Sequence, residues 1–211
     1  MKEQIKYHST NQFRNVVKTI RDRAYFEGVD EDGNAVINTL NKVPTINYFG
    51  TVKLHGTNGN IVLHQDGLIT LHSKNNLLGE ISVKGEFTLY NDNAEFAQTM
   101  YRRIKHLREL QRSLEMLHEG DYNPFPIKIS GEWAGNGIQK GVGISQLEQK
   151  GFFIFGIKQG EHGWMKVQEL PNLNEYHEYG LYSITDFKTY SLDIDFSNPE
   201  YSQNELVKLK K

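Results

Sequence analysis

Hydrophobic residues recur at helical spacing in two segments of the chain. Residues 9–24 predict a first amphipathic helix, on which Phe13, Val16, Val17 and Ile20 share one face. Residues 92–119 predict the longest helix. Its apolar stripe consists of Phe96, Met100, Ile104, Leu107, Leu114 and Leu117. A further helix is predicted to begin at Pro199, because proline suits the first helical position.

Alternating hydrophobic and polar residues predict strands in the segment from Thr45 to Lys74. One strand is predicted to end at Val52 and the next to begin at Asn60, with a polar break between them. A hairpin turn is predicted at residues 65–67, where Gln-Asp-Gly interrupts the hydrophobic pattern. The segment therefore predicts a first sheet.

Shorter hydrophobic runs predict two buried strands at residues 126–133 and 151–158, and a last strand at residues 182–189. Strands and helices do not alternate regularly, which argues against a doubly wound parallel sheet. We therefore expect an α+β fold with mixed or antiparallel sheets flanked by the two long helices. A single domain is predicted over residues 1–211.

Composition narrows the class of protein. The chain has 24 basic and 26 acidic residues, so any site for a polyanion must be a local patch. The absence of cysteine excludes a disulfide framework, a thiolate zinc site and a cysteine nucleophile. The first residues lack the apolar core of a signal peptide, and no apolar run is long enough to span a membrane. We therefore expect a cytoplasmic protein.

The polar break in the first predicted sheet carries a lysine and a histidine. A lysine at a strand end has a fixed backbone and a reachable tip, which suits a nucleophile or a phosphate contact. His55 shares a face with Lys53 if the extended geometry continues. Gly56 allows a ligand to approach the backbone, and Thr57 and Asn58 supply hydrogen-bonding groups. Taken alone, this pattern also fits a surface lysine before an ordinary hairpin.

Two other strands carry candidate ligand groups. Glu132 lies in an apolar strand, where a carboxylate costs several kcal/mol unless it is paired or faces a cleft. Its partner is either a ligand such as a ribose hydroxyl or a cation at the edge of the core. On the next strand, alternation places Phe153 and Phe155 on one face and Phe152 on the other. Such aromatic residues form the core or, beside a nucleotide, stack on its base.

The polar face of the 92–119 helix carries five basic residues: Arg102, Arg103, Lys105, Arg108 and Arg112. A solvated helix face offset by nearby glutamates is one interpretation of this run. Contacts with a phosphate backbone are the other.

Four motifs resemble those of the ATP-dependent RNA ligase family, a branch of the lysine nucleotidyltransferases that also contains DNA ligases and capping enzymes. Lys53–Asn58 matches the nucleotidyl-lysine signature Lys-x-His-Gly-Thr-Asn at each fixed place. Gly131–Gly135 and Gly137–Gln139 match a Gly-Glu-aromatic-Ala-Gly segment that runs into Gly-Ile-Gln. Phe152–Ile157 matches an aromatic strand, and Lys74 matches a basic residue after the hairpin.

The resemblance implies an adenylation domain of the nucleotidyltransferase, ATP-grasp-like type. It implies that Lys53 attacks the α-phosphate of ATP with the assistance of Mg²⁺ and expels pyrophosphate. The AMP then passes to the 5′-phosphate of an RNA, and a 3′-hydroxyl displaces it to seal the break. The implied partners are therefore ATP, Mg²⁺ and the two RNA ends.

The resemblance also assigns roles to individual residues. Glu132 would hold the ribose and Phe155 would stack on adenine. His55, Asn58 and Lys74 would act around the phosphates or the strand ends. The implied catalytic residues are Lys53 and His55, and the implied nucleotide-binding residues are Val52, Lys53, Leu54, Asn58, Lys74, Glu132 and Phe155, with the metal ligands left open.

The sequence departs from the family at its C-terminal end. The family continues with a Glu-Gly-aliphatic-Val strand and a Lys-x-Lys strand, and neither follows in order here. We therefore expect a domain that is incomplete before its last strands. A non-catalytic module that binds nucleotides or RNA ends is the alternative function. A DNA ligase or capping enzyme is disfavoured, because those relatives usually carry Asp-Gly after the lysine.

Overall fold

The computed structural model of the chain describes residue 7, residues 9–117 and residues 123–208. Over these residues the chain forms two compact units. The large unit comprises residues 51–188 with Tyr7, and the small unit comprises residues 9–50 with residues 189–208. The single domain predicted from the sequence stays a prediction.

The helices and strands alternate irregularly along the chain. The helices are α1 (Phe13–Tyr25), α2 (Phe96–Arg102), α3 (Ile104–Glu115) and α4 (Pro199–Lys208). The strands are β1 (Phe26–Val29), β2 (Ala35–Ile37), β3 (Thr45–Gly50), β4 (Thr57–Leu63), β5 (Ile69–His72), β6 (Leu77–Ile81), β7 (Phe87–Leu89), β8 (Ile127–Ala134), β9 (Gly151–Gln159), β10 (Leu181–Ser183) and β11 (Tyr190–Asp195). Short 3-10 helices cover Gly143–Gln146, Val167–Glu169, Asn174–Tyr179 and Ile184–Asp186.

Within its described residues, the large unit contains a seven-stranded sheet in the order β10-β9-β8-β4-β5-β6-β7. The pairs from β9 to β7 are antiparallel, and β10 runs parallel to β9. The predicted α+β class with a mixed sheet is confirmed. The hairpin turn predicted at residues 65–67 is confirmed as well, since it joins the antiparallel strands β4 and β5.

The two faces of this sheet differ in polarity. Ile61 of β4 and Ile129 of β8 are cross-strand partners, and both are fully buried against apolar residues of α2 and α3. Side chains alternate between the faces along a strand. The cross-strand pair Asn58 and Glu132 therefore lies on the opposite face, which the two helices leave uncovered. The candidate ligand groups are on this polar face.

The helix predicted over residues 92–119 is interrupted at Arg103, and residues 118 and 119 lie outside the described residues. The Arg103 guanidinium lies 5.9 Å from the centre of the Trp133 ring. It also donates a hydrogen bond of 3.5 Å to the Gly180 carbonyl oxygen. These contacts with distant parts of the chain accompany the break between α2 and α3.

The polar break before β4 is placed differently from the prediction. β3 ends at Gly50 rather than Val52, and β4 begins at Thr57 rather than Asn60. Lys53 and His55 therefore lie in a segment without regular structure. The expectation that Lys53 and His55 share a face stays a prediction, because it depends on extended geometry that continues past the strand.

In the small unit, α1 packs on the antiparallel strands β3 and β11. The core contains Val43, Ile194 and Phe196 with Phe13, Val16, Val17 and Ile20 of α1. The strand predicted over residues 182–189 is wrong for most of its length, because β10 ends at Ser183, a 3-10 helix covers Ile184–Asp186, and β11 begins only at Tyr190 in the small unit. Helix α4 begins at Pro199, as predicted.

Candidate active site

The segment between β3 and β4, residues 51–56, is called the lysine loop below. The side chains of Lys53 and His55 are exposed, whereas Val52 and Leu54 are partly buried. The apolar residues thus anchor the loop while the two polar tips face solvent. The loop carries four of the predicted site residues.

Gly56 packs the lysine loop directly against β8. A Cβ atom at this position would lie 2.4 Å from the Trp133 carbonyl oxygen, 2.8 Å from the Ala134 Cβ and 3.0 Å from the Glu132 Cγ. The Gly56 N–H donates a hydrogen bond of 2.8 Å to Glu132 Oε1. The Gln139 Nε2 donates one of 2.9 Å to the Gly56 carbonyl oxygen. This one glycine therefore joins the lysine motif to the Gly-Glu-Trp and Gly-Ile-Gln segments.

Glu132 is half-buried, and its electrostatic surroundings are mixed. Burial raises its pKa, because desolvation disfavours the charged carboxylate. The hydrogen bond from Gly56 and the positive charges of Lys53 and His55 act in the opposite direction. Glu132 is thus within electrostatic reach of both predicted catalytic residues. Its Oε2 accepts no hydrogen bond from the described residues, so it is available to a ligand hydroxyl.

Asn58 belongs to a buried network of polar side chains on the polar face. Asn60 is 2% exposed, and its Nδ2 donates to Asn58 Oδ1 at 2.6 Å and to the Ser73 carbonyl oxygen at 3.2 Å. Ser130, which is fully buried, donates to Asn60 Oδ1 at 2.7 Å. The amide of Asn58 is therefore held in one orientation. Sequence reasoning missed Asn60 and Ser130, although both are polar residues inside apolar strands.

The aromatic residues of β9 have different surroundings. Phe153 lies opposite Glu132, but its ring is buried and stacked on Tyr182 with the ring centres 4.9 Å apart. Phe155 is the extra residue of a β-bulge and is only partly buried. Its ring meets the edge of Tyr7 with the centres 5.0 Å apart. The ring of Phe155 is therefore more accessible to a ligand than the ring of Phe153.

Lys74 is exposed and lies two residues beyond the end of β5, the strand that pairs with β4. The structure thus brings the lysine loop, Asn58 and Glu132 together by direct contact or strand pairing. Lys74 follows β5 and Phe155 belongs to β9, and these strands flank the pair β4 and β8.

Two of the five basic residues on the α2–α3 face contact other parts of the chain. Arg103 makes the contacts that accompany the helix break. Arg108 Nη2 donates a hydrogen bond of 2.6 Å to the Gly67 carbonyl oxygen and so attaches α3 to the β4–β5 turn. The interpretation of this face as a uniform solvated or phosphate-binding surface is therefore wrong for these two arginines.

The polar face also contains an unexpected buried lysine. Lys128 is 1% exposed, and its ammonium lies 5.7 Å from the centre of the Trp164 ring. Burial, and then the nearby charge of Lys158, lower the pKa of Lys128 to about 8. Burial and then the charges of Lys128 and His64 lower the pKa of His72 to about 4. At neutral pH, His72 is therefore uncharged, while Lys128 keeps most of its positive charge.

The described residues lack two other kinds of feature. Among the described residues, no three histidine, aspartate or glutamate side chains are grouped closely enough to hold a metal ion. In the same part of the chain, no helix has both the length and the apolar character of a membrane span.

Comparison with known sequences gives one family. A sequence profile of the RNA ligase family matches residues 46–201. No curated protein matches the chain. The matched range contains the lysine loop, Glu132 and Phe155, and so covers the whole candidate site.

Proposed function

Because this chain belongs to the RNA ligase family, we propose that it joins RNA ends through an AMP intermediate on Lys53. The observation that carries this proposal is the pair of hydrogen bonds at Gly56, which holds the lysine loop against Glu132. A nucleophile and a ribose-binding carboxylate are thereby fixed at one end of β8.

In the first step, the Lys53 amine attacks the α-phosphorus of ATP. A phosphorus–nitrogen bond forms, the bond from the α-phosphorus to the pyrophosphate oxygen breaks, and the lysine ammonium proton passes to solvent. Mg²⁺ that accompanies ATP would neutralise the developing negative charge. Exposed Lys53 and His55 are accessible to the phosphates.

The polar face holds the nucleoside. Glu132 Oε2 accepts a hydrogen bond from a ribose hydroxyl while Oε1 remains bound to Gly56. The accessible ring of Phe155 stacks on adenine. Val52 and Leu54, partly buried on either side of Lys53, provide apolar contacts beside the nucleotide.

In the second step, an RNA 5′-phosphate oxygen attacks the lysyl-AMP phosphorus, and the bond to the lysine nitrogen breaks as that nitrogen takes a proton from solvent. In the third, an RNA 3′-hydroxyl attacks the activated 5′-phosphate, loses its proton and expels AMP. His55, Asn58 and Lys74 surround the phosphates in these steps, since a cation or amide donor stabilises their negative oxygens.

The exposure of Lys53 favours one alternative, a module that binds nucleotides or RNA ends without turnover. Nucleophilic attack requires a neutral amine, and a bound nucleotide favours that form of Lys53 only if it creates drier surroundings. A non-catalytic module would retain the contacts of Glu132 and Phe155 but would not modify Lys53.

Incubation with α-labelled ATP and Mg²⁺ separates these functions. The ligase predicts an acid-labile protein adduct that Lys53→Ala abolishes. The matched control is Lys84→Ala, which removes an exposed lysine in the turn between β6 and β7 and should leave the adduct unchanged. Saturable ATP binding without an adduct would support the alternative. Absence of both would refute a nucleotide site.

A further inference from the structure

The hairpin formed by β1 and β2 in the small unit has one entirely apolar face. Phe26 of β1 pairs with Ile37 of β2, and farther along the hairpin Val29 pairs with Ala35. A β-bulge at Glu27 shifts the register between these pairs, so all four hydrophobic side chains lie on the same side. No polar residue of the two strands interrupts this set. It is called the hairpin face below.

The hairpin face is open to solvent. The exposed fraction is 49% for Phe26, 67% for Val29 and 54% for Ile37, and Ala35 is exposed as well. None of the four belongs to the hydrophobic core that α1 forms with β3 and β11. Single apolar residues scattered over a surface are normal, whereas a contiguous apolar face marks an interaction surface.

The turn that joins the two strands is acidic. It carries Asp30, Glu31 and Asp32 in succession and is called the hairpin tip below. Asp30 Oδ1 holds the turn together by accepting the backbone N–H of Asp32 at 3.0 Å. The carboxylates of Glu31 and Asp32 make no hydrogen bond or ion pair within the described part of the chain. Two negative charges are therefore free to bind a partner.

The opposite end of the hairpin, called the hairpin base below, is basic. Arg23 lies three residues before β1 and Lys42 five residues after β2, and both side chains are exposed. Asn41 donates a hydrogen bond of 3.3 Å to Glu27 Oε1, which keeps the neighbouring Lys42 near the start of β1. Neither basic side chain is bound to another described residue. Asp22 offsets part of the charge and leaves the base net positive.

We propose that the hairpin face binds the hairpin face of a second copy of this chain in an antiparallel, two-fold symmetric dimer. An acidic tip, an apolar centre and a basic base complement their own copy when the two hairpins run in opposite directions, because each tip then lies against the other base. β1 has four residues and so spans about 13 Å, which lets both ends meet their counterparts in one contact. A two-fold axis uses the same surface on both copies. This inference is independent of the proposed function.

The charges select this partner and limit its affinity. The acidic tip disfavours a nucleic acid on the same surface. Four side chains bury less than the roughly 800 Å² that each partner contributes to a standard stable interface, so the charged ends must contribute. We therefore expect a dimer that forms at micromolar rather than nanomolar concentrations. Added salt should weaken it, because ion pairs between exposed ends are screened.

Sedimentation velocity from about 1 µM to about 200 µM tests the apolar contact, since this range covers the expected affinity. Wild type should pass from monomer to dimer. Ile37→Lys places a charge in the hairpin face and should raise the dissociation constant at least about tenfold. The matched control is Val36→Lys, because Val36 is also exposed but pairs with Gly28 on the opposite face of the hairpin. The control should dimerise like wild type.

Charge reversal tests the antiparallel arrangement. Glu31→Lys with Asp32→Lys makes the tip basic, and a second variant, Arg23→Glu with Lys42→Glu, makes the base acidic. Each variant alone should dimerise at least about tenfold more weakly, because like charges then meet at both ends. An equimolar mixture of the two should recover the wild-type affinity, since each tip again meets a base of opposite charge. All four positions are exposed, and circular dichroism should show that both variants are folded.

Other results would overturn the proposal. Wild type that stays monomeric at the highest concentration would leave the face to a different partner, and a dimer unaffected by Ile37→Lys would exclude the face. A mixture that does not recover would exclude the antiparallel arrangement. Growth beyond a dimer would show a head-to-tail contact instead of a two-fold one. If Ile37→Lys does not fold, the charge-reversal pair decides alone. No nucleotide is present, so failure of the proposed ligase function does not affect these outcomes.

Discussion

Substitution of Gly56 tests whether contact between the lysine loop and β8 organises the site. In Gly56→Ala, the new methyl group would lie 2.4 Å from the Trp133 carbonyl oxygen and 2.8 Å from the Ala134 Cβ. Both neighbours belong to a central strand of the large sheet, so the loop must move away. The displacement breaks the hydrogen bonds from Gly56 to Glu132 and from Gln139 to Gly56.

The expected magnitude follows from those two bonds. One has a charged partner and one is neutral, and together their loss costs about 2–4 kcal/mol. If this cost falls entirely on formation of lysyl-AMP, the rate drops about 30-fold to 1,000-fold. The seven-stranded sheet does not depend on the loop, so the thermal midpoint of unfolding should fall by only a few degrees.

The assay is single-turnover labelling with α-labelled ATP, combined with thermal unfolding of the same samples. Gly143→Ala is the matched control, because a Cβ there meets no atom within 4 Å. It should label at the wild-type rate. If Gly56→Ala labels as fast as Gly143→Ala, the loop does not need its contact with β8. If Gly56→Ala instead unfolds the whole protein, Gly56 is a structural residue of the sheet.

Three further substitutions test the electrostatics and packing of the large unit. Burial raises the pKa of Glu132, so the unfolding free energy of the wild type should fall as pH rises from about 4.5 towards neutral. Glu132→Gln should flatten this part of the pH profile measured by urea unfolding. An unchanged slope would contradict the assignment. Lys128 has a pKa of about 8 in the folded protein against 10.5 ordinarily, so the unfolding free energy should rise between these pH values. Lys128→Met should abolish this rise, and a rise that persists in the variant would contradict the assignment. Arg108→Ala should cost about 1–2 kcal/mol of unfolding free energy through the lost bond to Gly67, while Arg112→Ala, at an exposed position of the same helix, should cost little. Equal losses for the two arginines would argue against a specific role for the Gly67 contact.

The contiguous parts of the candidate site could be proposed from the sequence alone. The run Lys53–Asn58 and the segment around Glu132 are local patterns, and the structure brings them together at Gly56. The steric need for this glycine could not be predicted, because it depends on how closely β8 passes the loop. The α+β class was predictable from hydrophobic spacing, since the large sheet has one apolar and one polar face.

The remaining features depend on contacts between residues that are far apart in the sequence. Asn60 and Ser130 are 70 residues apart, and their pairing follows from the register of β4 and β8. The bulge at Phe155 arises where the register of β8 and β9 shifts. The break at Arg103 coincides with contacts to Trp133 and Gly180. Local spacing carries no information about any of these.

The pairing of β3 with β11 has a consequence for synthesis on the ribosome. Thr45 of β3 pairs with Asp195 of β11, so the earlier strand emerges long before its partner exists. At about 5–20 residues per second, translation of the intervening chain takes roughly 7–30 s. During that time the large sheet can form, but the hydrophobic side of β3 stays exposed because β11 has not yet been synthesised. The nascent chain should therefore need chaperone protection at β3 until translation passes residue 195.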